Sequence, residues 1–228
     1  MKSIRIVSLA SFVAANLLAG TASAQQMSTP AATPAEIEAV YTSSIEGRAD
    51  DILKALNLTD AAKSNQVHDI IIRQYRLLRA RDVVIDARLA AEGKDNSYTN
   101  RAPEVQAESK VLHDYFLSQL SALLTPEQVD TIKDKLTYNK VEVTYNAYCA
   151  IIPGLKDSAK AKIMDLLKAA REEAIDGGSA PEKSAIFQKY KNQINDYLNA
   201  SGYDVAQAYK DWEAKQKTAS KSGGTQAN

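Results

Sequence analysis

The chain is poor in the residues that build redox, metal and nucleotide sites. Cys149 is its only cysteine, so no internal disulfide can form. His68 and His113 are its only histidines, and no H-E-x-x-H or comparable ligand spacing surrounds them. A nucleophile elbow, a phosphate-binding loop and a dinucleotide fingerprint are all missing, so no cofactor and no metal is expected. Charge of one sign is also missing: 28 basic residues face 28 acidic ones. A nucleic-acid binder ordinarily shows a basic excess or stripe, so nucleic acid is not an expected partner. Beyond the N-terminus no apolar run approaches the length needed to span a bilayer.

The N-terminus itself reads as a secretory signal peptide. Lys2 and Arg5 form a positive start, Ile6 to Leu18 an apolar run, and Ala22-Ser23-Ala24 an A-x-A cleavage site. Cleavage after Ala24 would remove two basic residues and leave a net charge of −2. The expected organisation is a signal peptide at 1–24, a polar linker at 25–32, one helical domain at 33–217 and a disordered polar tail at 218–228. The expected location is periplasmic or secreted, with no membrane contact after cleavage. An exported chain without disulfides suits a bacterial periplasm.

Helical patterning fills the domain. Thr33-Pro34-Ala35-Glu36 and Thr125-Pro126-Glu127-Gln128 are capping boxes with proline at the first helical position. Ser179-Ala180-Pro181-Glu182 caps another helix, and Thr59 is the expected cap of a long helix from about 60 to 91. Glu92 to Ala102 reads as a polar loop, with Pro103 opening the next helix. Another helix runs from about Ser158 to Asp176 and stops at Gly177-Gly178. Asp204 can cap a last helix carrying Val205, Tyr209 and Trp212. One stretch resists. Val141, Val143, Tyr145, Ala147 and Cys149 alternate with more polar residues, a strand-like period without a partner strand. Residues 138–152 are therefore expected as an irregular or helical connector. The fold class is all-α: a single domain with a long antiparallel helix pair and six or seven helices.

Several motifs occur in a fixed order: Lys135-Leu136-Thr137-Tyr138-Asn139, Val143-Thr144-Tyr145-Asn146-Ala147-Tyr148, Ile152-Pro153-Gly154-Leu155, Phe187-Gln188-Lys189-Tyr190-Lys191 and Ile194-Asn195-Asp196-Tyr197-Leu198, then Gly202-Tyr203-Asp204 and Trp212. Together they resemble a family of secreted bacterial domains of unknown function, found notably in Bacteroidetes. The resemblance implies an exported bacterial domain associated with polysaccharide degradation, particularly of pectic chains. It carries no catalytic residue. Leu124-Thr125-Pro126-Glu127-Gln128 also resembles the Leu-Thr-x-x-Gln motif of Spy- and CpxP-type periplasmic helical chaperones.

Four groups of residues are candidates for chemistry. Tyr138, Asn139, Tyr145, Asn146 and Tyr148, with Lys189, Tyr190 and Lys191, could present stacking faces and amides to a sugar, including an acidic one. The same tyrosines could equally be core residues and the asparagines turn caps. His68-Asp69 and His113-Asp114 could meet across an antiparallel helix pair to bind a metal or move protons, or lie apart as surface residues. Arg73, Arg76, Arg79, Arg81 and Arg88 form either a basic stripe or a salt-bridged face. Arg171-Glu172-Glu173 reads as packing or surface pairing. The expected role is an exported, non-catalytic accessory or binding protein whose partner is an oligosaccharide or an envelope protein. A carbohydrate-active enzyme would need two carboxylates about 5–10 Å apart in a cleft. A chaperone would show a large exposed apolar patch.

Overall fold

The computed structural model describes residues 32–223, with side chains to residue 218. The expected signal peptide, residues 25–31 of the expected linker, and residues 224–228 of the expected tail lie outside the described residues. The described residues form eight helices and no strand: α1 (Pro34–Leu56), α2 (Ala61–Ala91), α3 (Tyr98–Ser121), α4 (Pro126–Leu136), α5 (Lys140–Ile151), α6 (Asp157–Ala174), α7 (Ala180–Ala200) and α8 (Val205–Gly223). No helix among them is long and apolar enough to cross a membrane.

The count exceeds the expected six or seven by α5, which occupies the ambiguous stretch. Its buried residues are Val141, Tyr148 and Ile151, and Tyr145 packs beside them. Those four recur at helical spacing. Val143 belongs to the misleading alternation and lies exposed. The turn before α5 is tight because Tyr138 and Asn139 both take left-handed conformations, at φ 59° and 53°. Thr137 is fully buried and returns its hydroxyl to the Lys133 carbonyl at 2.8 Å. Asparagine tolerates that conformation; for a tyrosine it costs on the order of 1 kcal/mol.

The capping boxes at Thr33 and Thr125 both form, and Ser179 caps α7. Two expected boundaries move. Asp60, not Thr59, caps α2 by accepting from the Lys63 amide at 3.0 Å. The third helix starts at Tyr98, ahead of Pro103, because the Asp95 carboxylate binds the Ser97 amide at 3.0 Å and the Asn100 side-chain amide at 2.8 Å. Pro103 then lies inside α3, one turn in.

Two apolar clusters hold the helices together. One joins α1, the first half of α2, the end of α3 and α4 around Ile71, Phe116 and Ile132. The other joins α5 to α8 around Ile163, Leu167, Ile194 and Tyr148. Ile175, just past α6, is buried in the first cluster. The α2–α3 hairpin thus leans against the α6–α7 loop, and that seam carries the polar groups described next. Its outer end is closed by Ile85, Leu89 and Val105.

Candidate functional site

The α6–α7 loop is fitted to the hairpin residue by residue. Asp176 is buried, and its Oδ2 lies 2.9 Å from Nδ1 of His113 on α3. Gly177 takes the aliphatic stem of Lys183, which leaves little room for a β-carbon there. Gly178 lies directly against the carboxylate of Asp82 on α2. Ser179 then caps α7, and Glu182 folds back to accept the Gly178 N–H at 2.9 Å.

The hairpin presents a matching buried array. The Arg81 side chain is only 3 % exposed. It donates to Ser109 Oγ at 3.0 Å and to Asp82 Oδ1 at 2.8 Å. Ser109 passes the chain on to the Val105 carbonyl at 2.6 Å. Arg101 on α3 reaches Asp82 at 3.0 Å and also pairs with Asp86. Charges buried in this way cost several kcal/mol each unless paired, so the pairing fixes the seam.

Between α3 on one side and α6, the loop and α7 on the other lies a cleft of about 680 Å³. Its apolar wall is made by Ala102, Pro103, Val105 and Ile186, with the Tyr98 ring at one end. Five carboxylates line the same space, Asp114 from α3 and Glu172, Glu173, Asp176 and Glu182 from the other side. Lys110, His113 and Lys189 are the lining basic residues, and each is engaged: with Asp114 at 2.7 Å, Asp176 at 2.9 Å and Glu173 at 2.5 Å. At the cleft floor, Asp176 Oδ1 and Glu182 Oε1 are buried and receive no hydrogen bond among the described residues. A buried acceptor without a donor is costly, roughly 1–3 kcal/mol, a cost that the rest of the seam must offset.

Titration follows from the same contacts. The hydrogen bond to Asp176 raises His113 above its ordinary value, against the opposing effect of burial. Burial pushes Lys183 down to about 8, despite the attraction of Asp176 and Glu182. Burial, reinforced by Glu173, pushes Tyr190 up to about 12. Tyr98 is raised by burial and by the carboxylates of Glu173 and Glu182, yet its hydroxyl makes no hydrogen bond among the described residues.

Of the tyrosine–asparagine set, only Lys189 lines this cleft, and Tyr190 stands behind it with its hydroxyl 3.0 Å from Glu173. Tyr148 is a core residue whose hydroxyl donates to Asn195 at 2.7 Å. Tyr145 packs at the edge of the same core, Asn146 is exposed, and Tyr138 and Asn139 form the α4–α5 turn. His113 takes Asp176, 63 residues away, while its neighbour Asp114 takes Lys110. His68 faces Asp50 at 4.0 Å and Asp69 at 3.5 Å. No group of three or more His, Cys, Asp or Glu residues suited to a metal ion forms among the described residues. Four of the five arginines in the row are salt-bridged: Arg76 and Arg79 hold Glu38, Arg81 holds Asp82, and Arg88 holds Glu104 and Glu108, while Arg73 donates to the Tyr115 hydroxyl at 2.9 Å. Arg171 is a buried tie between α6 and α4, bonded to Asp130 at 2.8 Å and Asp134 at 2.9 Å.

Asp176, Glu182 and Lys183 escaped the sequence reading, although a signal existed. The α7 stripe through Ile186, Phe187, Tyr190 and Ile194, extended one turn back, lands on Glu182 and Lys183. Charged residues on an apolar stripe mark buried polar structure. Asp114 and the Glu172-Glu173 pair belong to separate sequence candidates, and nothing in their spacing joins them.

A family profile described as "Protein of unknown function (DUF3826)" matches residues 42–218, most of the chain and nearly all of the helical domain. The chain belongs to this family. No curated protein matches it.

Proposed function

We propose that this family member is an exported, non-catalytic binding protein whose ligand is a neutral, hydroxyl-rich glycan segment of the pectic side-chain type. The observation that carries the reading is the cleft between α3 and α6–α7, where apolar side chains and five carboxylates line one space. A sugar ring has an apolar C–H face and a rim of hydroxyl donors. The first suits Pro103, Ile186 and the Tyr98 ring; the second suits carboxylate acceptors. The volume falls within the range of small-molecule sites. The sign of the lining disfavours a uronate: five carboxylates line it, and Lys189 and Lys110 are already paired. The signal-peptide pattern and the resemblance to secreted bacterial domains support export and the glycan class.

The test is a thermal-shift panel of galactan, arabinan and galacturonan oligomers. A ligand at 100 times its dissociation constant adds about 2.7 kcal/mol. For a domain of this size that is an upward shift of roughly 5–11 °C. The shift should appear with a neutral glycan and vanish in Ala102→Trp, which fills the cleft from a partly exposed helix position. A panel without any shift, or a shift that survives Ala102→Trp, overturns the reading.

A further inference from the structure

A second cavity of about 530 Å³ opens beside the first. The two share two lining residues, Tyr98 and Glu182. These residues come from the first turns of α3 and α7, so the start of each helix borders both spaces. The cavities differ in character. The larger has the apolar wall; the smaller carries Asp82, Asp86, Asn96, Arg101 and Ser179 alongside Pro181 and Ala185. Both shared residues have unused bonding capacity. The Tyr98 ring is partly buried and its hydroxyl has no hydrogen-bond partner among the described residues. Glu182 is buried, with one oxygen held by Gly178 and the other without a donor.

We propose that the two cavities are consecutive subsites for one chain-like ligand, an oligosaccharide that crosses the Tyr98–Glu182 border with one unit on either side. The inference rests on the glycan reading above and names the form of the ligand: an oligomer, not a single sugar. One unit lies on the apolar wall with its C–H face toward Pro103 and Ile186. The next presents its hydroxyls to the charged rim around Asp86, Asn96 and Arg101. Tyr98 stands at the linkage, where its ring can stack and its free hydroxyl can bond the bridging region. Linking two weak sites through one molecule raises affinity without any new contact, because the second binding event becomes intramolecular.

The experiment is calorimetric titration of the purified protein with ladders of β-linked galactose and arabinose oligomers, from one unit to six. Affinity should climb at least roughly tenfold from the single sugar to the trimer and then level off. Ala185→Phe fills the smaller cavity without touching the larger one. It should leave the single sugar's affinity unchanged and abolish the climb. Tyr98→Phe should retain most of the climb and Tyr98→Ala should lose it; circular dichroism confirms that each variant folds. A single sugar that binds the wild type as tightly as the longest chain overturns the two-subsite inference and leaves the binding reading standing. So does a climb that Ala185→Phe does not affect. A protein that binds no member of either ladder overturns both.

Discussion

Replacing Gly178 with alanine tests the fit between the α6–α7 loop and the hairpin. Its backbone is not in the left-handed region, since only Gly93 and Gly202 among the described glycines have positive φ. Any cost must therefore come from space. A β-carbon on Gly178 would overlap Asp82 Oδ2 and lie 2.8 Å from its Cγ. The carboxylate must swing away, and it cannot do so without releasing Arg81 at 2.8 Å and Arg101 at 3.0 Å. Both arginines are largely buried. Breaking a buried pair costs about 3–5 kcal/mol, and the partial exposure of Asp82 places this case near 3. For a domain of this size the melting midpoint should fall by about 6–12 °C. Gly154→Ala is the control, because nothing lies within 4 Å of its β-carbon position; it should shift the midpoint by less than about 2 °C. In Asp82→Ala the steric conflict is gone, so adding Gly178→Ala should cost little more. Calorimetry on the wild type and the four variants settles the matter. If Gly178→Ala melts with the wild type, or if its effect simply adds to that of Asp82→Ala, the seam is not packed as described.

Other perturbations follow from the same contacts. His113 has a raised value in the fold, so its pair with Asp176 contributes fully below its ordinary value of 6.5 and fades as pH rises past the folded value. The unfolding free-energy difference between wild type and His113→Gln, read by urea titration, should be largest near pH 5.5 and shrink by pH 8.5. Lys183 behaves in the opposite sense. Its folded value is about 8 against 10.5 in the open chain, so it makes stability rise with pH between those values, and Lys183→Met should remove that slope. Tyr148→Phe leaves Asn195 Oδ1 without its 2.7 Å donor and should cost about 1–2 kcal/mol in denaturant unfolding. Thr125→Ala removes a complete capping box and should cost about 1 kcal/mol by the same assay.

Much of the fold is readable because its signals are local. A threonine, a proline and a glutamate or glutamine within four residues satisfy the open amides of a helix start wherever they occur, so Thr33 and Thr125 mark α1 and α4 without tertiary knowledge. The α5 region misleads because two periods coincide in it. Val141, Tyr145, Tyr148 and Ile151 pack, while the intervening Val143 stays in solvent, where it imitates a strand. The start of α3 is hidden for a different reason: Asp95 and Asn100 build the turn with side chains that could equally cap a loop. The cleft was legible only in fragments. Lys189 is among the sequence candidates, and the His113-Asp114 pairing is adjacent only in sequence, since Asp176 is the neighbour of His113 in space. Contacts made across 63 residues leave no spacing to read. The unusual feature of Glu182 and Lys183, charge on an apolar face, becomes meaningful only once the stripe is known to be buried.

The central claim is the location of the binding site, and hydrogen–deuterium exchange locates it most directly. Exchange would be compared with and without the neutral glycan that gives the largest thermal shift. The account predicts slowed exchange in peptides covering residues 98–114 and 172–189, the two walls of the cleft. Protection confined to residues 138–148, the tyrosine–asparagine stretch, would contradict it.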